Sequence, residues 1–211
     1  MPRISGESSN TDFLPIIKYD ARAGKMFRID KILVGDEWRK QPPVEVTTGL
    51  RFVADLRNYE EGYIGFPANM PDFRLVRDGE PFPPKPLDLD AEGKPVYKEG
   101  FRILILLADG GMRHFSHTAK CVIQAFNDLY DTYKETPEFA DANVCPVVAL
   151  SSTVTISSGR STNYAPVFGI EKYVPRPTEF TEHMDSLTAA PAETATTSPD
   201  PMGEEEGELP F

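Results

Sequence analysis

The chain has 211 residues, 40% of them hydrophobic, with 33 acids against 22 Lys and Arg and only two cysteines. That length suits one sizeable domain with an extension, and argues against a repeat array or a fibre. The longest apolar run, Ile103 to Ala108, is far shorter than the ~20 residues a membrane helix needs, and MPRISGESSN has no apolar signal core. Cys121 and Cys145 cannot build a disulfide scaffold. The expectation is a soluble, cytoplasmic protein with no membrane partner.

In chain order, Ile16 to Tyr19 and Met26 to Leu33 are β-rich runs around ARAGK, whose Gly24 can supply positive φ. A hairpin follows, with Arg22 and Lys25 at its tip. Val44 to Leu56 alternates apolar Leu50, Phe52, Ala54 and Leu56 with charged residues, which predicts a strand to which Tyr63 to Phe66 can pair. Pro67 to Pro95 holds seven of the 20 prolines, so an extended surface insertion is expected there. Phe101 to Ala108 reads as a central strand that turns at Asp109-Gly110-Gly111 into Met112 to Phe115. Val122, Ile123, Phe126, Leu129, Tyr130 and Tyr133 recur at helical spacing, predicting a helix over 118–134 with Ser116 or Thr118 as cap. Val144 to Ile156 and Ala165 to Val174 form a closing hairpin around the polar loop SSGRSTNY, which carries Arg160 and Tyr164.

Strands, one helix, then two strands is the order of an oligonucleotide-binding (OB) fold, a five-stranded Greek-key barrel with one helix. The expected class is therefore mainly β, with extra hairpins and the proline-rich stretch as insertions. An α+β sandwich with the same element order is the structural alternative.

Charge is distributed unevenly. No Lys or Arg follows Arg176, and residues 178–211 hold nine of the 33 acids, leaving 22 cations against 24 acids in residues 1–177. The segment is rich in small, polar and proline residues, which bury too little apolar surface to offset chain entropy. The chain thus divides into a binding domain, 1–177, and a disordered acidic tail, 178–211. The tail ends in Glu204, Glu205, Glu206, Gly207, Glu208, Leu209, Pro210 and Phe211. A terminal ring and carboxylate behind acids suit a peptide-binding pocket with a cation at its mouth.

No P-loop, GxGxxG, HExxH or GxSxG is present, and neither an enzyme nor a cofactor is expected. His114, His117, Cys121 and Cys145 could in principle supply four zinc ligands, but their spacing matches no strong zinc signature, and a core cysteine beside a helix start is the plainer reading. Asp88, Asp90 and Glu92 resemble part of a calcium loop without its glycine in place. What the body does offer is cations mixed with rings: Arg22, Lys25, Arg28, Trp38, Arg57, Tyr59, Tyr63, Phe66, Arg74, Arg77, Arg160, Tyr164 and Lys172. Single-stranded nucleic acid needs that pairing, since cations neutralise phosphates while rings stack on unpaired bases.

The element order, the basic and aromatic strands and the ending EEEGELPF together resemble single-stranded DNA-binding proteins, whose bacterial members end in aspartates followed by Ile-Pro-Phe. Here Glu replaces Asp, Gly207 interrupts the acids and Leu209 replaces Ile. The longer body and its insertion resemble the bacteriophage-encoded branch. The resemblance implies a protein that coats single-stranded DNA in replication, recombination and repair, acts without a cofactor in the host cytoplasm, and recruits replication and repair proteins through residues 204–211. It leaves a homo-oligomer open. Two other classes remain: a protein-interaction or virion component, and a metal-dependent nuclease using Asp55, Glu60, Glu61 or Asp109.

A body of charge -2 binds DNA only through clustered cations, and the tail carries nine charges able to compete for that cluster. Removing the acidic tail is expected to tighten single-strand binding at low salt, and affinities that match with and without it across a salt series would contradict this.

Overall fold

The computed structural model describes residues 14–34, 37–67, 71–108, 111–158 and 161–189. Its strands are β1 (Ile16–Asp20), β2 (Lys25–Ile29), β3 (Lys31–Val34), β4 (Glu37–Lys40), β5 (Val44–Glu45), β6 (Arg51–Ala54), β7 (Glu60–Gly65), β8 (Asp72–Arg77), β9 (Tyr97–Leu107), β10 (Met112–His117), β11 (Val144–Ser158) and β12 (Ser161–Pro175). The helices are α1 (Lys120–Lys134) and α2 (Thr178–Ala189). The mainly-β expectation holds.

One sheet runs β12-β11-β6-β9-β10-β1-β2-β5, with β7 along β9 and β8 along β7, while β3 and β4 form a separate hairpin. The apolar β9 is its hub. On one edge it pairs antiparallel with β10, and on the other with β6 and then β7. β6 and β7 therefore share one edge of β9, separated by a tight helical turn at Leu56–Asn58. The expected pairing of residues 63–66 with the preceding strand does not form, because both segments need the same partner.

The ladders do not close the sheet into a barrel. The edge of β10 left free by β9 is taken in parallel register by β1, with Ile16 opposite His114. β12 instead approaches the β1–β2 turn through a hydrogen bond from the Tyr164 N–H to the Ala21 carbonyl, 2.7 Å. The Tyr19 hydroxyl adds a second, donating to the Tyr164 carbonyl at 3.0 Å. At that turn the Asp20 carboxylate accepts the N–H groups of Arg22 and Ala23, at 2.9 and 3.1 Å.

α1 starts at Lys120, and neither Ser116 nor Thr118 caps it. Ala119 takes the N-cap position with no side-chain cap bond, and just before it His117 accepts the Ala119 N–H on Nδ1 at 2.9 Å while its Nε2 lies 3.0 Å from the Tyr19 carbonyl. The helical period is as expected, since Val122, Phe126, Leu129, Tyr130 and Tyr133 are buried. They pack on Phe101, Ile103, Ile105 and Leu107, alternate residues of β9. The segment expected as a flexible loop, 157–164, is strand on both sides of residues 159–160, which lie outside the described residues.

The opposite face of β9 is covered as well, and this corrects the tail boundary. Residues 178–189 are helical, with Phe180 fully buried against Leu104 and Cys145, and with Leu106, Met112 and Met184 packed around them. Phe180 and Met184 lie one turn apart on the same helix face. A strand covered on both faces has no need of alternation, which is why Ile103 to Leu107 is apolar throughout. Residues 190–211, including the tip, lie outside the described residues.

Where the tail can be cut without harm follows from this packing. A chain ending at Pro177 loses Phe180 and uncovers Leu104, so urea denaturation should show a loss of about 3 kcal/mol, the lower range for removing a buried Phe. A chain ending at Ala189 should keep the full-length midpoint. Equal stability of the two truncated chains would remove α2 from the fold.

Candidate nucleic-acid interface

The predicted residues fall into three places. Arg22 and Lys25 are exposed at the β1–β2 turn, with Lys25 paired to Glu45 at 2.8 Å. Tyr164, on a strand rather than in a loop, lies against this turn. Gly24 has φ of +67°, and a Cβ added there would lie 3.0 Å from Cβ and Cγ of Tyr164. Glycine thus meets two demands, the left-handed backbone and the close approach of the turn to β12. Lys172 is exposed farther along β12, and Arg28 on β2 is tied to Asp30 at 2.9 Å. Arg160 lies outside the described residues. Trp38 stands opposite Leu33 in the β3–β4 ladder, and its side chain is not among those described.

A second set is structural. Tyr59 is 4% exposed, stacked with Phe101 and Tyr130 at ring-centre distances of 5.6 and 5.5 Å, and its hydroxyl donates to Asn127 at 2.9 Å. Burial pushes its hydroxyl pKa well above the ordinary value. The Arg57 guanidinium donates to the Phe139 carbonyl and lies 5.3 Å over that ring. Both side chains fasten the β6–β7 connection to α1 and the turn after it, Tyr59 buried and Arg57 half-buried. The aromatic-plus-cation composition expected of a binding face is here spent on the core.

The third set surrounds the start of β9. Tyr63 is buried with its ring edge-on to Phe82 at 5.5 Å, whereas Phe66, just after β7, is 61% exposed. Arg74 lies 4.3 Å over the Tyr97 ring, donates to its hydroxyl at 2.9 Å and also meets Asp72 at 3.4 Å. Arg77 is exposed at the end of β8. Tyr63 also lines a groove of about 610 Å³ with Tyr97, Lys85, Lys94, Lys98 and Lys120. A neighbouring depression of about 280 Å³ shares Asp90, Pro95, Lys98 and Thr118 with it and reaches Phe66. The sequence reading missed Phe82, Lys85, Tyr97, Lys98 and Lys120. They come from the proline-rich insertion, the start of β9 and the start of α1, and no local spacing joins those segments.

The metal and acid candidates are dispersed. His117 uses both ring nitrogens within the fold, His114 faces His183 with ring centres 6.0 Å apart, and Cys145 is buried with its sulfur 3.8 Å from the Arg176 guanidinium. Burial pushes the Cys145 thiol up to about 11. Among the described residues no three His, Cys, Asp or Glu side chains are grouped to hold a metal ion. Asp90 accepts the N–H groups of Glu92 and Lys94, each at 2.9 Å, which makes its loop a turn held by its own backbone. Asp55 is held by Arg176 at 2.6 Å and Glu60 by Arg102 at 2.7 Å, while Asp109 lies outside the described residues.

No family model matches this chain, and neither the curated proteins nor the solved structures contain a match.

The histidines make stability depend on pH. Burial pulls His114 from 6.5 down to about 3, and burial also lowers His117 and His183. On acidification the unfolded chain takes up these protons near its ordinary value while the folded chain does not, so stability is full above about pH 6.5 and falls below it. For His114 that loss continues toward pH 3. Urea midpoints should drop between about pH 7.5 and about pH 5, a window in which ordinary carboxylates stay ionised. A flat profile would contradict the burial of these rings.

Proposed function

We propose that this protein is a non-enzymatic, sequence-independent single-stranded DNA-binding protein, with an OB-like body and an acidic tip that recruits replication and repair proteins. The observation that carries the proposal is connectivity. β6, β9 and β10 form an antiparallel meander, α1 follows, and β11 and β12 return as a hairpin whose first strand pairs antiparallel with β6, Val148 opposite Phe52. With β7 and β8 set aside as insertions, this order supports a Greek-key OB-like reading, and at the β10 edge β1 stands where that reading would have a closing strand.

The placement of candidate groups supports the same reading. Arg22, Lys25 and Tyr164, about 140 residues apart in the chain, are brought together where β12 meets the β1–β2 turn. Cations there neutralise phosphates, and an amphipathic ring on a strand can meet a base. Sequence-independent binding needs no more than this, because every base has a stacking face. The acidic segment EEEGELPF, residues 204–211, supports the partner-binding half of the proposal.

Fluorescence anisotropy with labelled oligo-dT and its duplex should show tight, salt-sensitive preference for the single strand, with weaker binding by an Arg22→Ala, Lys25→Ala double variant. Substituting Tyr164 by Ala should cost about 1 kcal/mol of affinity or more if its ring stacks on a base. Absence of oligo-dT binding by the wild-type chain would overturn the proposal and favour a protein-interaction role, tested next by capture on a GEEEGELPF peptide.

A further inference from the structure

We infer that the lysine-lined groove beside β9 is a second contact track for the same single strand, its phosphates held by Lys85, Lys98 and Lys120 and its bases offered the exposed rings of Phe66 and Phe82. The inference rests on the single-strand reading above and extends it to residues that no local motif brings together.

Three observations carry it. First, four lysines line the groove against two acids, Asp90 and Glu99, in a body with 22 cations and 24 acids overall. Second, the lysines are left available. Lys94 is engaged by Glu92, but no ion pair among the described residues uses Lys85, Lys98 or Lys120, and all three are exposed. Of the two acids, Asp90 is occupied in its own turn by the N–H groups of Glu92 and Lys94. Lys120 opens α1, whose first turn carries no acid to offset it.

Third, two large rings stand in solvent beside these cations. Phe66 is 61% exposed and Phe82 49% exposed. Phe66 lines the depression that shares Lys98 with the groove, and Phe82 touches Tyr63 in the groove wall. An isolated exposed phenylalanine is unremarkable, but two of them flanking available lysines match what a single strand requires: a cationic groove for the backbone and sequence-tolerant faces for the bases. A duplex keeps its bases stacked on one another and gains nothing from the rings. The proline-rich insertion thereby acquires a role, since its extended backbone places Phe82 and Lys85 along the groove without needing a strand partner.

The test uses the full-length protein and labelled oligo-dT over a salt series. A Lys85→Ala, Lys98→Ala, Lys120→Ala variant should bind about tenfold more weakly at low salt. Its plot of log affinity against log salt should be shallower by about 2, because each single-strand phosphate that a cation neutralises adds roughly 0.7 to the slope. The corresponding Lys→Arg variant should restore the slope. A Phe66→Ala, Phe82→Ala variant should weaken binding about tenfold while leaving the slope unchanged, because stacking releases no counterions. Photo-cross-linking of wild-type protein to bromodeoxyuridine oligonucleotide should label the segments carrying Phe66 or Phe82. Wild-type binding with an unaltered slope in the triple lysine variant, and cross-links confined to Tyr164 and the β1–β2 turn, would overturn this inference while leaving the single-strand reading intact. Failure of the wild-type chain to bind oligo-dT would overturn both.

Discussion

Asp55 has no exposed surface, and a carboxylate so placed loses hydration worth several kcal/mol unless its charge is answered locally. Arg176 answers it with both arms of the guanidinium, at 2.9 and 2.6 Å to the two oxygens, and the Asn58 amide donates a further bond at 2.8 Å. The pair joins residues 121 positions apart: the corner where β6 gives way to β7, and the end of β12 just before α2. The Asp55 N–H is bonded in turn to the Leu104 carbonyl of β9 at 3.0 Å, and the Arg176 N–H to the Asn143 carbonyl at 2.6 Å. Breaking such a pair by removing one partner leaves an uncompensated buried charge, so it fixes the arrangement whatever its net contribution to stability.

Much of the rest follows from that corner. Because β6 bends at Asp55, β7 continues along β9 and carries β8 and the proline-rich insertion to the side where Lys98 and Lys120 stand. Because Arg176 anchors the end of β12, the next turn of chain places Phe180 under its guanidinium, 5.8 Å from ring centre to Cζ, and against Leu104. At its other end β12 runs to Tyr164 and the β1–β2 turn. The two candidate contact regions are thus held by one frame.

The elements governed by local pattern were legible in the sequence. The turn at Gly24, the apolar run of β9, the spacing of Val122 to Tyr133 and the closing hairpin all appear where periodicity and turn chemistry place them. What was illegible depended on tertiary partners. Tyr59 and Arg57 carry the side-chain chemistry of a binding face, yet stacking on Phe101 and Tyr130 and bonding to Phe139 make them part of the frame. Phe180 sits in a stretch whose composition reads as disordered, and only the outer face of β9 gives that one ring somewhere to go. The barrel failed to close because β1, a plain five-residue strand, pairs in parallel with β10, and no sequence pattern announces a partner across nearly a hundred residues. The lysine groove was hidden for the same reason.

The proposed single-strand contacts lie in two regions, where β12 meets the β1–β2 turn and along the groove beside β9. Hydrogen–deuterium exchange of the full-length protein, with and without saturating oligo-dT, reads both regions at once in an unaltered chain. If the strand is held there, exchange slows in peptides covering residues 21–25 and 161–166 and in those covering 81–99 and 118–121, with α2 unchanged. Exchange that is the same with and without the oligonucleotide throughout the chain would contradict these contacts.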